Sequence, residues 1–438
     1  MSVDVPEAQK SEFPDGVMRA RHQFFVSAYW FATNLLWGAL LIILIPRQIR
    51  QMAPATAAQT QGWLLGLGAI AALVVPLIVG PLSDRCMSRF GRRRPYMVAG
   101  VAVNLVGLLI MWFAGARANV WLYFIGYLVT QTGNNTATGA YNGVIPDVVP
   151  FRQRGEASGW MAAMSQAGTI VGVVGSGILW QRGHVAACFA LMAVSLVLFL
   201  ALTVFGTRER PRTEAPDPLR LSDFIKRLWI DPRKHPNFAW VWITRALVVM
   251  GLWMVQEYMQ YYVVDVVGVA DSDAAGTVGS ILGLSLVCAT VTGILGGRIS
   301  DRLGRKVVVY VANGIIATCA LAFLFSGSLI YTFVVAAIFG LGFGAYYSVD
   351  WALGCDVLPS KDDAGKDMAV WHIAMVLPQS IAQPVSGMIL GAFLSGVEQT
   401  PEGAVPHYQF AGYAAIFSLA AFFLFLGAVL LRNVRGVR

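Results

Sequence analysis

Gly80-Pro81-Leu82-Ser83-Asp84-Arg85, followed by Phe90-Gly91-Arg92-Arg93, closes one long apolar block. Gly297-Arg298-Ile299-Ser300-Asp301-Arg302-Leu303-Gly304-Arg305-Lys306 closes another, about half the chain further on. A second echo keeps the same order: Pro146-Asp147-Val148-Val149-Pro150 against Cys355-Asp356-Val357-Leu358-Pro359. Two motifs recurring in order mean duplicated halves. In a membrane protein that arrangement puts a substrate site between the repeats, near mid-bilayer.

Outward from these motifs the chain is apolar. Of its 438 residues 57% are hydrophobic and 13% charged, against about 25% charged in soluble domains. That is too little charge to coat a soluble surface, and 12% aromatic residues exclude a disordered chain. A spanning helix needs about 20 mostly apolar residues. Twelve blocks qualify, at approximately 24–46, 62–82, 95–115, 119–142, 157–179 and 185–205, then 238–263, 274–297, 306–325, 329–354, 367–394 and 408–431. The polar stretch 206–237, rich in Pro, Arg, Lys and Asp, separates them six and six. The expected fold is an all-α membrane protein, twelve transmembrane helices in two pseudo-symmetric six-helix bundles (1–205 and 238–438) joined by a cytoplasmic linker.

Charge sets the orientation. With the N-terminus in the cytoplasm, the runs Arg85–Arg94 and Arg298–Lys306, the central linker and the C-terminal arginines all fall on the cytoplasmic side. Arg47, Arg50, Arg117 and Arg182 fall outside, and Arg245 lies within a span. This is the positive-inside pattern, so both termini are expected in the cytoplasm and the protein in the plasma (inner) membrane. The net charge of +8 then reports topology, not nucleic-acid binding. Five scattered cysteines without a CxxC pair give neither a disulfide framework nor a zinc site, and no metal or cofactor is expected. The first twenty-one residues lack an apolar core, so no cleavable signal peptide is expected.

The repeated motif resembles the loop signature of the major facilitator superfamily, found between helices two and three and again between eight and nine, and the resemblance extends over essentially the whole chain. The first copy carries four more residues than the second between its Asp-Arg and its Gly. This longer form is similar to the sucrose transporters and their relatives in the glycoside–pentoside–hexuronide:cation symporter group. The resemblance implies a proton-coupled symporter of a glycoside working by alternating access. On helix five, Gly168…Gly172…Gly175-Ser176-Gly177 stands where antiporters of the superfamily usually carry Gly-Pro. The missing proline argues for symport or facilitated entry over drug/proton exchange.

Asp84, Arg85, Arg92 and Arg93, with Asp301, Arg302 and Arg305, are the candidate cytoplasmic gate. An anion just past an apolar helix end pairs with nearby arginines or a helix N-terminus. Such pairs would latch the two halves in the outward-open state. The competing reading makes Arg89 to Arg94 topology determinants attracted to anionic lipid.

Ionisable groups at bilayer depth are costly and therefore suspect. Arg245 and Glu257 on helix seven and Asp350 on helix ten are the candidate coupling residues. Arg245 and Asp350 sit at similar depth, and the resemblance implies that helices seven and ten both border the cavity, so a pair is expected, serving either proton coupling or static neutralisation. Glu257 keeps company with Trp253, Gln256, Gln260 and Tyr261 at helical spacing, and belongs either to a binding or coupling site or to the outer mouth. Helix four carries Tyr127, Gln131, Asn134, Asn135, Thr138 and Asn142 every three or four residues. Such amides suit a ligand rich in hydroxyls, or else bond neighbouring helices. Helix one offers Tyr29, Trp30, Thr33, Asn34 and Trp37; helix eleven offers Trp371, His372, Met375, Gln379 and Gln383; Tyr346, Tyr347 and Trp351 flank Asp350. Aromatic faces pack against sugar rings while amides take their hydroxyls.

No HExxH, GxSxG or P-loop is present and the histidines do not cluster, so an enzyme is not expected. The expected function is secondary active transport of a small polar solute, a sugar or glycoside, by a monomer in contact with membrane lipid. The proton is the expected coupling ion, with Na+ the other candidate. Export or antiport of amphipathic compounds, or lipid transport, is the alternative; those cargoes call for a cavity dominated by Met and Phe.

Overall fold

The computed structural model describes residues 18–150, 153–207, 230–357, 359, 364–400 and 403–435. Among them twelve long helices run in chain order. The first six are α1 Ala20–Met52, α2 Ala57–Asp84, α3 Arg94–Ala116, α4 Val120–Tyr141, α5 Arg154–Gln181 and α6 Val185–Gly206. The second six are α7 Pro236–Gln256, α8 Asp271–Leu303, α9 Arg305–Ala322, α10 Leu329–Asp356, α11 Ala364–Ala392 and α12 Phe410–Leu430. The chain is all-α in class with the expected twelve helices. Most of the expected linker, 208–229, lies outside the described residues, as do residues 1–17.

Local chemistry explains where the helices start and stop. The side chain of Asn119 accepts from the Leu122 amide at 3.0 Å to cap α4, and Ser328 does the same for Tyr331 at 3.3 Å on α10. Pro95 and Pro236 sit in the first turns of α3 and α7, where a missing N–H costs nothing. The motif glycines Gly91 and Gly304 adopt φ of 105° and 97°, a region open only to glycine without strain. The same residue therefore takes a positive φ in both halves. Eleven stretches among the described residues are long and apolar enough to cross a membrane. The 22-residue α4 is long enough too, but Gln131, Thr132, Asn134, Asn135, Thr136 and Thr138 dilute its hydropathy.

Three features depart from the sequence reading. Helix α1 continues to Met52 through a π-helical stretch at Gly38–Leu44. Pro46 follows at once; it lacks an amide hydrogen and crowds the carbonyl four residues back, which disturbs the ordinary ladder. The helix begun by α7 breaks at Glu257–Tyr258 and resumes at Met259–Asp265. Between α11 and α12 lies an antiparallel hairpin, β1 Leu394–Thr400 and β2 Gly403–Tyr408.

The chain divides into two compact units. The first takes Met1–Ile45 with Val74–Asp217, the second Pro46–Leu73 with Pro218–Arg438. The division is not the simple one at the linker, because the C-terminal end of α1 and the N-terminal part of α2 pack with the second unit. Within the first unit α3 packs on α4, α1 on α5 and α6, and α3 on α6. Within the second, α9 packs on α10, α7 on α11 and α12, and α9 on α12. Each pairing recurs six helices later, so the duplication read from two loop motifs extends to the packing. Close approach needs small residues. A Cβ on Gly168 would lie 2.2 Å from the Phe31 carbonyl oxygen, and one on Gly340 2.2 Å from that of Ser285.

Candidate functional site

The second unit holds a buried carboxylate, Asp350, and a half-buried one, Glu257, in different company. Arg245 of α7 and Asp350 of α10 are only 4% and 5% exposed and form an ion pair. The Tyr346 hydroxyl donates to the other Asp350 oxygen at 3.0 Å. The Arg245 guanidinium lies 4.6 Å from the Trp371 ring centroid, with Met375 Sδ 3.8 Å from its Nη2. The cation is thus covered by one carboxylate, one aromatic face and one sulfur, all from α10 and α11. Trp371 is fully buried, whereas Tyr347 and His372 are exposed on other faces of their helices. The side chain of Trp351 lies outside the described residues.

Glu257 sits in the break after α7. Its Oε1 accepts from Gln383 Nε2 at 2.8 Å, and its backbone carbonyl faces Gln61 Nε2 at 3.4 Å. The break ends the helical face expected to run from Trp253 through Gln256 to Gln260 and Tyr261. Trp253 and Gln256 are half-buried; Gln260 is buried, with both amide atoms lacking a protein partner. Gln379 is half-buried on α11, and Gln383 is buried. The structure therefore gathers Glu257 with Gln383 and, separately, Arg245 with Asp350 and Tyr346.

The first unit arranges the helix-four stripe as a chain of amides. Gln131 Nε2 donates to the Tyr127 hydroxyl at 2.8 Å, and Asn135 Nδ2 reaches Gln131 Oε1 at 2.9 Å. Thr138 bonds back to the Asn134 carbonyl at 2.9 Å, and Asn134 keeps a buried Oδ1 without partner. Asn135 and Thr138 are half-buried, while Asn142 is exposed at the helix end. On α1, Asn34 donates to the Trp30 carbonyl at 2.8 Å and, like Trp37, is half-buried. Tyr29 is fully buried, edge-on to Tyr141 with ring centroids 5.2 Å apart. It is core of this unit, and its hydroxyl has no protein partner.

The loop motifs fold onto the second echo. Arg93 pairs with Asp84, reaches Asp147 at 3.1 Å and donates to Ser83 Oγ at 2.7 Å, while Arg92 also pairs with Asp147. Arg305 meets Asp356 at 2.7 Å. These contacts join residues of one unit, and Arg92–Asp147 and Arg305–Asp356 are equivalent pairs in the two repeats. Arg85 is half-buried and Arg302 exposed; the side chain of Asp301 lies outside the described residues.

A third polar group was not anticipated. Arg47 and Arg50, expected in an outer loop, are buried at the end of α1. Arg50 pairs with Asp271 at the start of α8 and lies 5.2 Å from the Tyr261 ring centroid. Arg47 donates to the Asp271 and Ser272 carbonyls at 3.0 and 3.1 Å. The Tyr261 hydroxyl donates to Gln61 Oε1 at 2.9 Å. Nearby, Asp265 contacts the His407 ring at 2.7 Å, the Tyr408 amide at 3.0 Å and the Tyr413 hydroxyl. Burial pushes the Asp265 carboxyl above its ordinary range, against the pull of those hydrogen bonds. Gln61 was the signal to notice: it is an amide at the start of an otherwise apolar block.

A model of the Major Facilitator Superfamily matches residues 24–383 and 276–437; the chain belongs to that superfamily and is a membrane transporter with its twelve-helix fold. Among characterised proteins it is similar to the sucrose transport protein SUC4 of Arabidopsis thaliana, at 23% identity over 417 aligned residues covering 80% of each chain. It is similar as well to the sucrose transport protein SUT5 of Oryza sativa, at 24% identity with 75% of each chain covered. Among solved structures its fold matches a bacterial homolog of the human lysosomal transporter Spinster, with TM-score 0.70 and 15% identity over 96% of this chain and 98% of that one. The nucleoside transporter NupG matches with TM-score 0.68 and 13% identity, covering 95% and 99%.

Proposed function

We propose that the protein is a secondary active transporter that moves a sugar of the glycoside class across the plasma membrane by proton-coupled symport and alternating access, with both termini cytoplasmic and no catalytic activity of its own. The sugar assignment is supported by the similarity to sucrose transport proteins over most of both chains. The coupling assignment rests on one observation: of two carboxylates among the spans of the second unit, Asp350 faces a cation and Glu257 a neutral amide.

That difference divides their roles. Neutralising Asp350 by a proton would leave Arg245 buried and uncompensated, which costs several kcal/mol. Neutralising Glu257 strands no charge, because its partner is the Gln383 amide. Glu257 is therefore the proton carrier. Arg245–Asp350 is the fixed pair, which orients α7, α10 and α11 around the substrate path. In the first unit Asn34 and Trp37 of α1 with Gln131 and Asn135 of α4 offer hydroxyl contacts; in the second unit Trp253 of α7 and Gln379 of α11 offer the same kind of contact.

Proteoliposome uptake of radiolabelled sucrose and other glycosides, with and without an acid-outside gradient, tests the reading. Accumulation above equilibrium is expected only with the gradient. Glu257→Gln should lose at least about tenfold in accumulation while keeping exchange of internal for external sugar, since only the proton step is removed. Equal accumulation by wild type and Glu257→Gln would overturn the coupling role. Failure of every glycoside, with uptake of an amphipathic cation instead, would overturn the sugar assignment.

A further inference from the structure

Gln383 is an unpromising sugar contact. It is 1% exposed, and its amide nitrogen is already committed to Glu257 Oε1 at 2.8 Å. Its backbone carbonyl lies 3.0 Å from the Tyr258 hydroxyl, which also lies 3.2 Å from the Ala58 carbonyl. One phenolic proton is thus shared between α11 and α2. The Ala58 amide in turn donates to the Tyr408 hydroxyl at 3.1 Å, and the neighbouring Gln61 bridges the Glu257 carbonyl and the Tyr261 hydroxyl. Gly62 lets the backbones come this close: a Cβ there would sit 2.5 Å from the Gln383 carbonyl oxygen and 2.8 Å from the Tyr258 hydroxyl. Every residue in this network belongs to the second unit, with Ala58, Gln61 and Gly62 in its Pro46–Leu73 segment.

We infer that Gln383 is a positioning residue for Glu257, and that Tyr258 ties the Gln383 backbone to the Pro46–Leu73 segment, so that the proton affinity of Glu257 depends on both the amide donor and the docking of that segment. The inference rests on Glu257 being the residue that gains and loses the proton. A donor to a carboxylate favours its charged form, whereas exclusion of water favours its neutral form. The two supports therefore act with opposite sign. Among the described residues, the polar and titratable groups placed beside Glu257 are Tyr258 and Tyr261 on its own stretch of chain, Gln383 from α11 and Gln61 from α2. Beyond Tyr261 stand Tyr408 of β2 and the Arg50–Asp271 pair of α1 and α8.

Infrared difference spectroscopy on purified protein in nanodiscs, titrated without any sugar, reads this directly. The carboxyl band of Glu257 is the one lost in Glu257→Gln. In Gln383→Met, which keeps size and removes the donor, the midpoint of that band should move alkaline by about one pH unit. In Tyr258→Phe, which frees the segment and admits water, it should move acid. Gln383→His restores an N–H donor and should return the midpoint to the wild-type value or below. An unchanged or acid-shifted midpoint in Gln383→Met would overturn the inference, because mere loosening of the site hydrates the carboxylate. Should Gln383→Met fail to fold, a wild-type melting temperature and an alkaline midpoint in Gln383→His would overturn it instead. Absence of any titrating band assignable to Glu257 would remove the carboxylate as proton carrier and the inference with it; a band present but unmoved sinks only the role of Gln383.

Discussion

Arg245 and Asp350 lie on different helices, and each would be prohibitively costly alone at bilayer depth. Their pairing follows from that cost, which is why the two were legible as partners from the sequence. Removing one partner strands the other. Arg245→Ala should destabilise the protein by about 3–5 kcal/mol, whereas Arg245→Ala with Asp350→Ala should cost markedly less than the sum of the single changes. Thermal melting of the four proteins in the same detergent measures this, and strict additivity would count against an energetic pair. Glu257 was less legible. Its partner Gln383 looked like a sugar-binding amide, since sequence spacing says nothing of which helix supplies a donor. The break at Glu257–Tyr258 carries no Pro or Gly to announce it, so Gln256, Gln260 and Tyr261 were read as one face with Trp253 when the backbone had already turned. Tyr29 shows a related limit of spacing: an aromatic on a polar-looking helix face packs equally well into a core, and Tyr141 is what it meets.

At the scale of elements, the long helices were readable from apolar length. The β1–β2 hairpin was not. It sits in a connection that the hydropathy pattern merely skips, and its attachment is polar: Asp265 at the end of the resumed helix holds His407, Tyr408 and Tyr413. Asp265 lies beyond the apolar span, and burial raises its proton affinity in the folded state. The sign of the linkage follows. The folded state binds the proton more tightly than the unfolded chain, so the stability from this group is full at low pH. It is lost as pH rises from the ordinary carboxylate range through the raised folded value, and is flat above it. Asp265→Asn cannot titrate. The melting temperature of wild type should therefore fall relative to that of Asp265→Asn as pH rises across the acid range. A constant difference at all pH would mean that Asp265 is not protonated differently on folding.

For the whole molecule, the two loop motifs told of a duplication that the helix pairings repeat, α3–α4 with α9–α10 and α1–α5 with α7–α11. Composition said that the chain spans a membrane. It did not say that Pro46–Leu73 leaves its sequence neighbours to pack with the second unit. That depends on contacts such as Arg50–Asp271 and Tyr258–Ala58, between residues about two hundred positions apart, which local pattern does not register. The central claim is that sugar movement carries protons. Proteoliposomes loaded with a trapped pH-sensitive dye, with equal pH on both sides and a potassium diffusion potential clamped by valinomycin, measure it most directly. Sucrose added outside should acidify the lumen promptly in wild type, with that response lost in Glu257→Gln. Sucrose entry without lumenal acidification, at a rate set only by the sugar gradient, would contradict the account.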